Sequence, residues 1–235
     1  MLRTTLAAHA ALFGLCFISS NAAFAANKPS FNCAKAASTA EKAICKSDSM
    51  AASDAAIAME YKKLQSALDP KAAAALAQDQ RWFVGVRDAI AEAPKNMAPP
   101  ELGAELKDRL KLLTAINPHP ASDFVGSWHN VAGGFDITSE PDGGLKIAGN
   151  AAQPVNGNWV CDFVGKGKAS GDVLTVKEEQ DEGNTQTTSL RLTREGAALK
   201  AELIPAPGSS DVTSPYCGLN GSFDGAYFSV PANYR

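Results

Sequence analysis

Residues 31–48 read FNCAKAASTAEKAICKSD, and this stretch decides how the first half of the chain is built. Cys33 and Cys45 bracket a short helix whose start is written locally. Ser38 can act as its N-cap, and Glu41, three residues on, can complete a capping box. Ala40, Ala43 and Ile44 give the helix a small apolar face. A disulfide here would lock the helix to the segment before it, and such a bond persists only in an oxidising compartment.

The residues upstream agree with that compartment. Arg3 supplies a positive start, residues 7–18 are mostly apolar, and Ala23-Phe24-Ala25 is a small-x-small cleavage signal. Residues 1–25 are therefore expected to be a signal peptide cleaved after Ala25, with the protein periplasmic or secreted. The apolar run is too short to span a bilayer comfortably, and Cys16 is not followed by the small residues of a lipoprotein cleavage site.

Without Cys16 four cysteines remain, and four allow three pairings. Cys33 and Cys45 share one segment and Cys161 and Cys217 another, so the expected bonds are Cys33–Cys45 and Cys161–Cys217. No pair has C-x-x-C spacing and no run of histidines stands near them, so neither a metal nor a cofactor is expected.

Composition changes near Pro118. Residues 26–121 are alanine-rich and carry 13 Lys and Arg against 11 Asp and Glu, a balance of +2. Residues 122–235 are richer in glycine, threonine and valine and carry 8 against 14, a balance of −6. The chain is thus expected to be α+β, with a disulfide-tied helical bundle over 26–117, a Pro-rich linker over 118–122 and a β domain over 123–235.

In the first half, Met50, Asp54, Ile57, Tyr61, Leu64 and Leu68 alternate spacings of four and three and draw one helical stripe, capped by Asp48 or Ser49. Asp69-Pro70 ends that helix and starts another, with Leu76, Asp79 or Gln80, Phe83, Val86 or Arg87, and Ile90 on its stripe. Leu102, Leu106, Leu110 and Leu113 mark a third amphipathic helix over 101–116. Asp54 falls on an apolar stripe, and a buried carboxylate needs a partner, for which Arg81 and Arg87 are the candidates. An ion pair that fixes helix packing is the plainer role; a binding contact is the alternative.

From Asp123 short alternating runs are punctuated by Asp142-Gly143-Gly144, Ser170-Gly171-Asp172, Glu195-Gly196 and Asn220-Gly221. Strands are predicted over 126–131, 135–139, 145–148, 158–165, 173–178, 187–193, 199–204 and 222–230. Their even spacing suggests an antiparallel up-and-down meander closed, or nearly closed, into a small barrel. The Gly126-Ser127-Trp128 opening is similar to that of lipocalin-like barrels. One predicted hairpin tip is strongly acidic: Glu178, Glu179, Asp181 and Glu182. A solvated turn is its ordinary reading, and contact with a cationic partner is the functional one.

The helical half also carries a family pattern. Phe31, Cys33, Lys35, Ala36, Glu41, Ile44 and Cys45, followed by Asp54, Tyr61, Gln80-Arg81 and Arg87-Asp88, resemble the LprI-like lysozyme-inhibitor N-terminal domain over about residues 30–116. The resemblance implies an exported protein that binds lysozyme, with Glu41, Asp54, Tyr61, Gln80, Arg81 and Arg87 as motif residues. Two departures stand out. The family's tryptophan position holds Phe83, with Trp82 one residue earlier, and the cysteines of a second cross-link are absent near Ala89 and Leu102.

Catalytic signatures are not found. Neither His119 nor His129 has a Ser, Cys or carboxylate in a relay spacing, and there is no Gly-x-Ser-x-Gly, phosphate loop or His-Glu-x-x-His. The expected function is therefore binding without catalysis: lysozyme inhibition by occlusion. The alternatives are a small-ligand carrier using the barrel interior and a structural or stress-related envelope module. Acidic balance disfavours nucleic acid as a partner.

Overall fold

A computed structural model describes residues 28–94, 101–178, 188–209 and 215–234. The expected signal peptide and Glu179, Asp181 and Glu182 lie outside the described residues. Helix α1 (Thr39–Cys45) forms where the capping box predicts: Ser38 Oγ accepts from Glu41 N at 3.1 Å, and Glu41 Oε2 accepts from Ser38 N at 3.1 Å. Cys33 and Cys45 are bonded, which ties the preceding 3₁₀ turn to α1. Helix α2 (Asp48–Ala67) is capped by Ser47, not by Asp48 or Ser49, because Ser47 Oγ takes the Met50 N–H at 3.4 Å. Asp69 caps α3 (Pro70–Glu92), and α4 (Leu102–Ala115) follows. In packing, α1 lies on α3 and α2 on α4.

The second half is an antiparallel meander closed into a barrel: β1 (Gly126–His129), β2 (Gly133–Ser139), β3 (Leu145–Ala152), β4 (Val160–Ser170), β5 (Val173–Glu178), β6 (Ser189–Glu195), β7 (Ala198–Ile204) and β8 (Gly225–Val230). Closure comes from β8 pairing with β1, with Ser127 opposite Val230 and His129 opposite Phe228. Three of the four glycine turn signals join consecutive strands, with Gly143, Gly171 and Gly196 in the left-handed region that glycine tolerates. The fourth does not: Asn220-Gly221 lies inside the long β7–β8 connection, and β8 begins only at Gly225.

Two further differences from the strand reading have packing causes. Strand β3 runs to Ala152 because Gly149 and Ala151 face the interior, where a Cβ at residue 149 would meet the Phe135 ring at 2.6 Å. Small residues there make room for an aromatic, so the stretch lacks the large apolar alternation that signals a strand. Strand β4 pairs with β5 only from Gly165 onward; nearer its start its edge is met by the β7–β8 connection, where Asp162 N donates to Tyr216 O and Gly218 N to Val160 O. The Cys161–Cys217 disulfide staples that contact.

Side chains fill the barrel. Trp128, Ile137, Ile147, Leu174, Val176, Leu190, Leu192 and Leu199 are all buried, and five aromatics meet across the interior. Phe135 lies 4.7 Å from Tyr227 and 5.2 Å from Phe223, and Phe163 lies 4.7 Å from Tyr216, centroid to centroid. The polar tips are satisfied: Trp128 Nε1 donates to Phe124 O and Tyr227 Oη to Phe223 O, both at 2.9 Å. Burial pushes the Tyr227 phenol well above its ordinary range.

Alternate positions on β7 and β8 point the other way and are covered by the helices. Ala198, Phe228 and Val230 share one apolar cluster with Leu64, Leu76, Phe83, Leu112 and Leu113. Hydrogen bonds fix the contact: Ala197 N donates to Asp69 Oδ2 at 2.8 Å and Asn117 N to Ser229 O at 2.8 Å. Across the expected linker, helices and barrel thus share a core.

Candidate partner-binding surfaces

Most of the family-pattern residues are staples within the helical unit. Asp54 is buried on α2 and accepts two hydrogen bonds at 2.7 Å, from the Ser30 N–H and hydroxyl. Arg87 Nη1 stands 3.9 Å from Asp54 and Nη2 2.8 Å from Asp88, whose carboxylate also accepts from Ser38 Oγ at 3.4 Å. One network therefore pins the segment before α1 to α2 and α3. Arg81, the other candidate partner of Asp54, is exposed instead. Hydrogen bonds from the Ala37 and Ser38 N–H groups hold the Glu41 carboxyl below its usual range. Tyr61 is half-buried against the helical core.

Gln80 belongs to a second network that sequence periodicity did not reveal. Arg109, fully buried on α4, makes an ion pair with Asp79 at 2.5 Å and donates to Gln80 Oε1 from Nε at 3.0 Å and Nη2 at 2.7 Å. Its guanidinium sits 5.1 Å over the Phe83 ring, where the family pattern has tryptophan. The other Asp79 oxygen accepts from Val131 N of the β1–β2 loop at 3.4 Å, so the pair reaches the barrel. The Leu-rich stripe on α4 gave no sign of Arg109, because a buried arginine has no local sequence signature.

On the barrel, Glu178 is half-buried at the end of β5. Up-and-down topology puts the β5–β6 connection at the same end of the barrel as the β3–β4 and β7–β8 connections. At that end the Cys161–Cys217 bond holds two apolar side chains outward: Val160 is 59% and Leu219 80% exposed. The opposite end is closed by Arg194, whose guanidinium lies 4.6 Å over Trp128 and donates to Ala121 O and Gly196 O. His129 packs edge-on against Tyr234 at 4.8 Å, and His119 is exposed.

A groove of about 870 Å³ runs between α3 and the outer face of β7 and β8, with Trp82 on its helical wall. No group of three or more His, Cys, Asp or Glu suited to a metal ion occurs among the described residues. Nor is any helix among them long and apolar enough to cross a membrane.

These features define a disulfide-stapled four-helix unit packed on a closed, filled eight-stranded barrel. Residues 33–125, the helical part, match the family model described as lysozyme inhibitor LprI, and the barrel follows it. The matched family is one of inhibitors rather than enzymes. No curated protein and no solved structure matches the chain.

Proposed function

We propose that this is an exported envelope protein that inhibits a lysozyme by occluding its cleft, acting as a binder without chemistry of its own. The match of residues 33–125 to the LprI family carries the proposal. Two disulfides, one in each half, suit the periplasm or the exterior. The carrier alternative loses its basis, because the barrel interior is occupied by its own side chains.

The contact falls at the barrel end that carries the acidic β5–β6 connection. Lysozymes are basic, so Glu178, Glu179, Asp181 and Glu182 would speed encounter, while the exposed Val160 and Leu219 could supply the apolar contact that charges lack. The helical unit, which carries the family match, is the competing location: Lys62 and Arg81 are exposed there, whereas Asp54, Gln80 and Arg87 spend their polar groups internally.

The test is inhibition measured against lysozymes of several classes, with association and dissociation followed separately. Replacing the four acids by Gln and Asn should slow association several-fold at low salt and little at high salt, because screening shortens to about 8 Å at physiological strength. Failure to inhibit any class removes the function. Inhibition with unchanged association at both salts moves the contact to the helices.

A further inference from the structure

The groove between α3 and the barrel has no part in the inhibitory contact described above, and its lining points to a ligand. Its volume of about 870 Å³ falls in the range of small-molecule sites. On the helical wall, Ala74 and Gln78 leave an open floor that ends at Trp82, which is 40% exposed. Phe83, the next residue, fills the core position beneath Arg109, so packing does not require Trp82 to be an indole. A large aromatic held on a rigid helix at the end of a cleft is a stacking platform.

The facing wall restricts what can stack there. Lys200 and Glu202 neutralise each other at 2.6 Å, and Asp79 is committed to Arg109. What remains is Lys71 against Glu195 and Asp224, an excess of one negative charge, so the groove repels an anion and holds no dense cluster of charge that would select a polycation. A peptide adding along the free upper edge of β7 would need the Leu203 N–H, and Asp224 Oδ1 already accepts it at 2.8 Å. An apolar ligand would bury the ammonium, carboxylate and amide groups without partners. A neutral polyhydroxylated chain meets all three conditions: its hydroxyls both donate and accept, and its ring faces stack on an indole.

We propose that this groove is a carbohydrate-binding site for a short neutral oligosaccharide, with Trp82 as the stacking surface and Gln78, Glu202 and Asp224 as hydroxyl partners. The site is independent of lysozyme inhibition, and it exists only where helices and barrel meet.

Calorimetric titration of the mature protein tests it, with tetramers of β-1,4-linked N-acetylglucosamine, β-1,4-linked glucose and α-1,4-linked glucose as probes, and a basic nonapeptide for comparison. At least one saccharide should bind saturably. Trp82→Ala should weaken it about tenfold or more, the loss expected when a stacking platform is removed. Ala74→Phe, which fills the floor and leaves the indole in place, should do the same, and it keeps the test open if Trp82→Ala unfolds. Met59→Ala, exposed on α2 away from the groove, should bind as wild type. No heat from any saccharide, or wild-type binding by both groove variants, overturns the proposal. Binding of the peptide alone, lost with Trp82→Ala, overturns it in favour of a peptide groove.

Discussion

The two halves of the molecule solve the same problem with different chemistry. All four charged residues that are buried among the described ones, Asp54, Asp79, Arg87 and Arg109, belong to the helical half. The barrel buries apolar and aromatic side chains, and its polar tips find carbonyls close by in the chain, as Trp128 and Tyr227 do. Helices of this composition are rich in alanine, so their facing stripes are shallow and do not by themselves set one packing angle. Directional ion pairs at Asp54 and Asp79 supply that uniqueness at a desolvation cost. A closed barrel needs no such device, because strand register already fixes which residues face inward.

The contrast breaks most sharply at Arg109. Its replacement by Ala should destabilise the protein by about 3–5 kcal/mol, since Asp79 would be left buried without its cation. If the pair serves uniqueness more than stability, Asp79→Leu with Arg109→Met should recover most of the loss while broadening the amide spectrum of α3 and α4. Denaturant unfolding and NMR of both variants read the two effects. A cost under about 1 kcal/mol for Arg109→Ala would place the helical half with the barrel as an apolar-packed unit.

The two cross-links sharpen the comparison at a similar scale. The sequence separation is 56 for Cys161–Cys217 and 12 for Cys33–Cys45, so chain-entropy arguments give about 4 and about 3 kcal/mol respectively. Paired Cys→Ala variants should rank in that order by thermal unfolding. The barrel variant should in addition lose order in the β7–β8 connection and leave α1 intact. The reverse order would mean that the small helical loop depends on its bond more than length alone implies.

The smallest expected effect lies where the halves meet. Asp69 caps α3 and also accepts the Ala197 N–H, so Asp69→Ala should cost about 1–2 kcal/mol, the upper range for a lost cap. Burial works against the Asp69 carboxylate, but hydrogen bonds from Ala197, Ala72 and Lys71 outweigh it and hold the carboxyl below the usual aspartate range. Its contribution is therefore present above the ordinary aspartate value and lost as pH falls through the lowered one, below about pH 4. Wild type and Asp69→Ala should converge in stability in that acid window and differ by a constant amount above it. A constant difference down to pH 2 would remove the latch from the carboxylate. Gly196, at φ +65°, shares this latch, since a Cβ there would collide with the Asp69 carboxylate.

Much of this was legible in the chain. Ser38 and Glu41, Asp69-Pro70 and the Gly143, Gly171 and Gly196 turns act through neighbours a few residues away, and each stands where its local chemistry puts it. Asp54 announced itself by standing on an apolar stripe. Ser30, which gives Asp54 its two short hydrogen bonds, did not, because nothing near Ser30 in sequence requires it to face inward. Arg109 was hidden for the same reason, and so was the small-residue part of β3, where Gly149 is a space for the Phe135 ring on the neighbouring strand.

By itself, then, the amino-acid order determined the helical and strand periods, most of the caps and turns, and the choice of cysteine partners; the periods, caps and turns are short-range consequences of backbone geometry. Only the tertiary structure decided which polar groups would be buried, that the β7–β8 connection would complete the edge of β4, and that the outward face of β7 and β8 would be covered by the helices. Those outcomes depend on where distant surfaces meet. Desolvation and packing are properties of the pair of surfaces, and no local pattern on either one carries them.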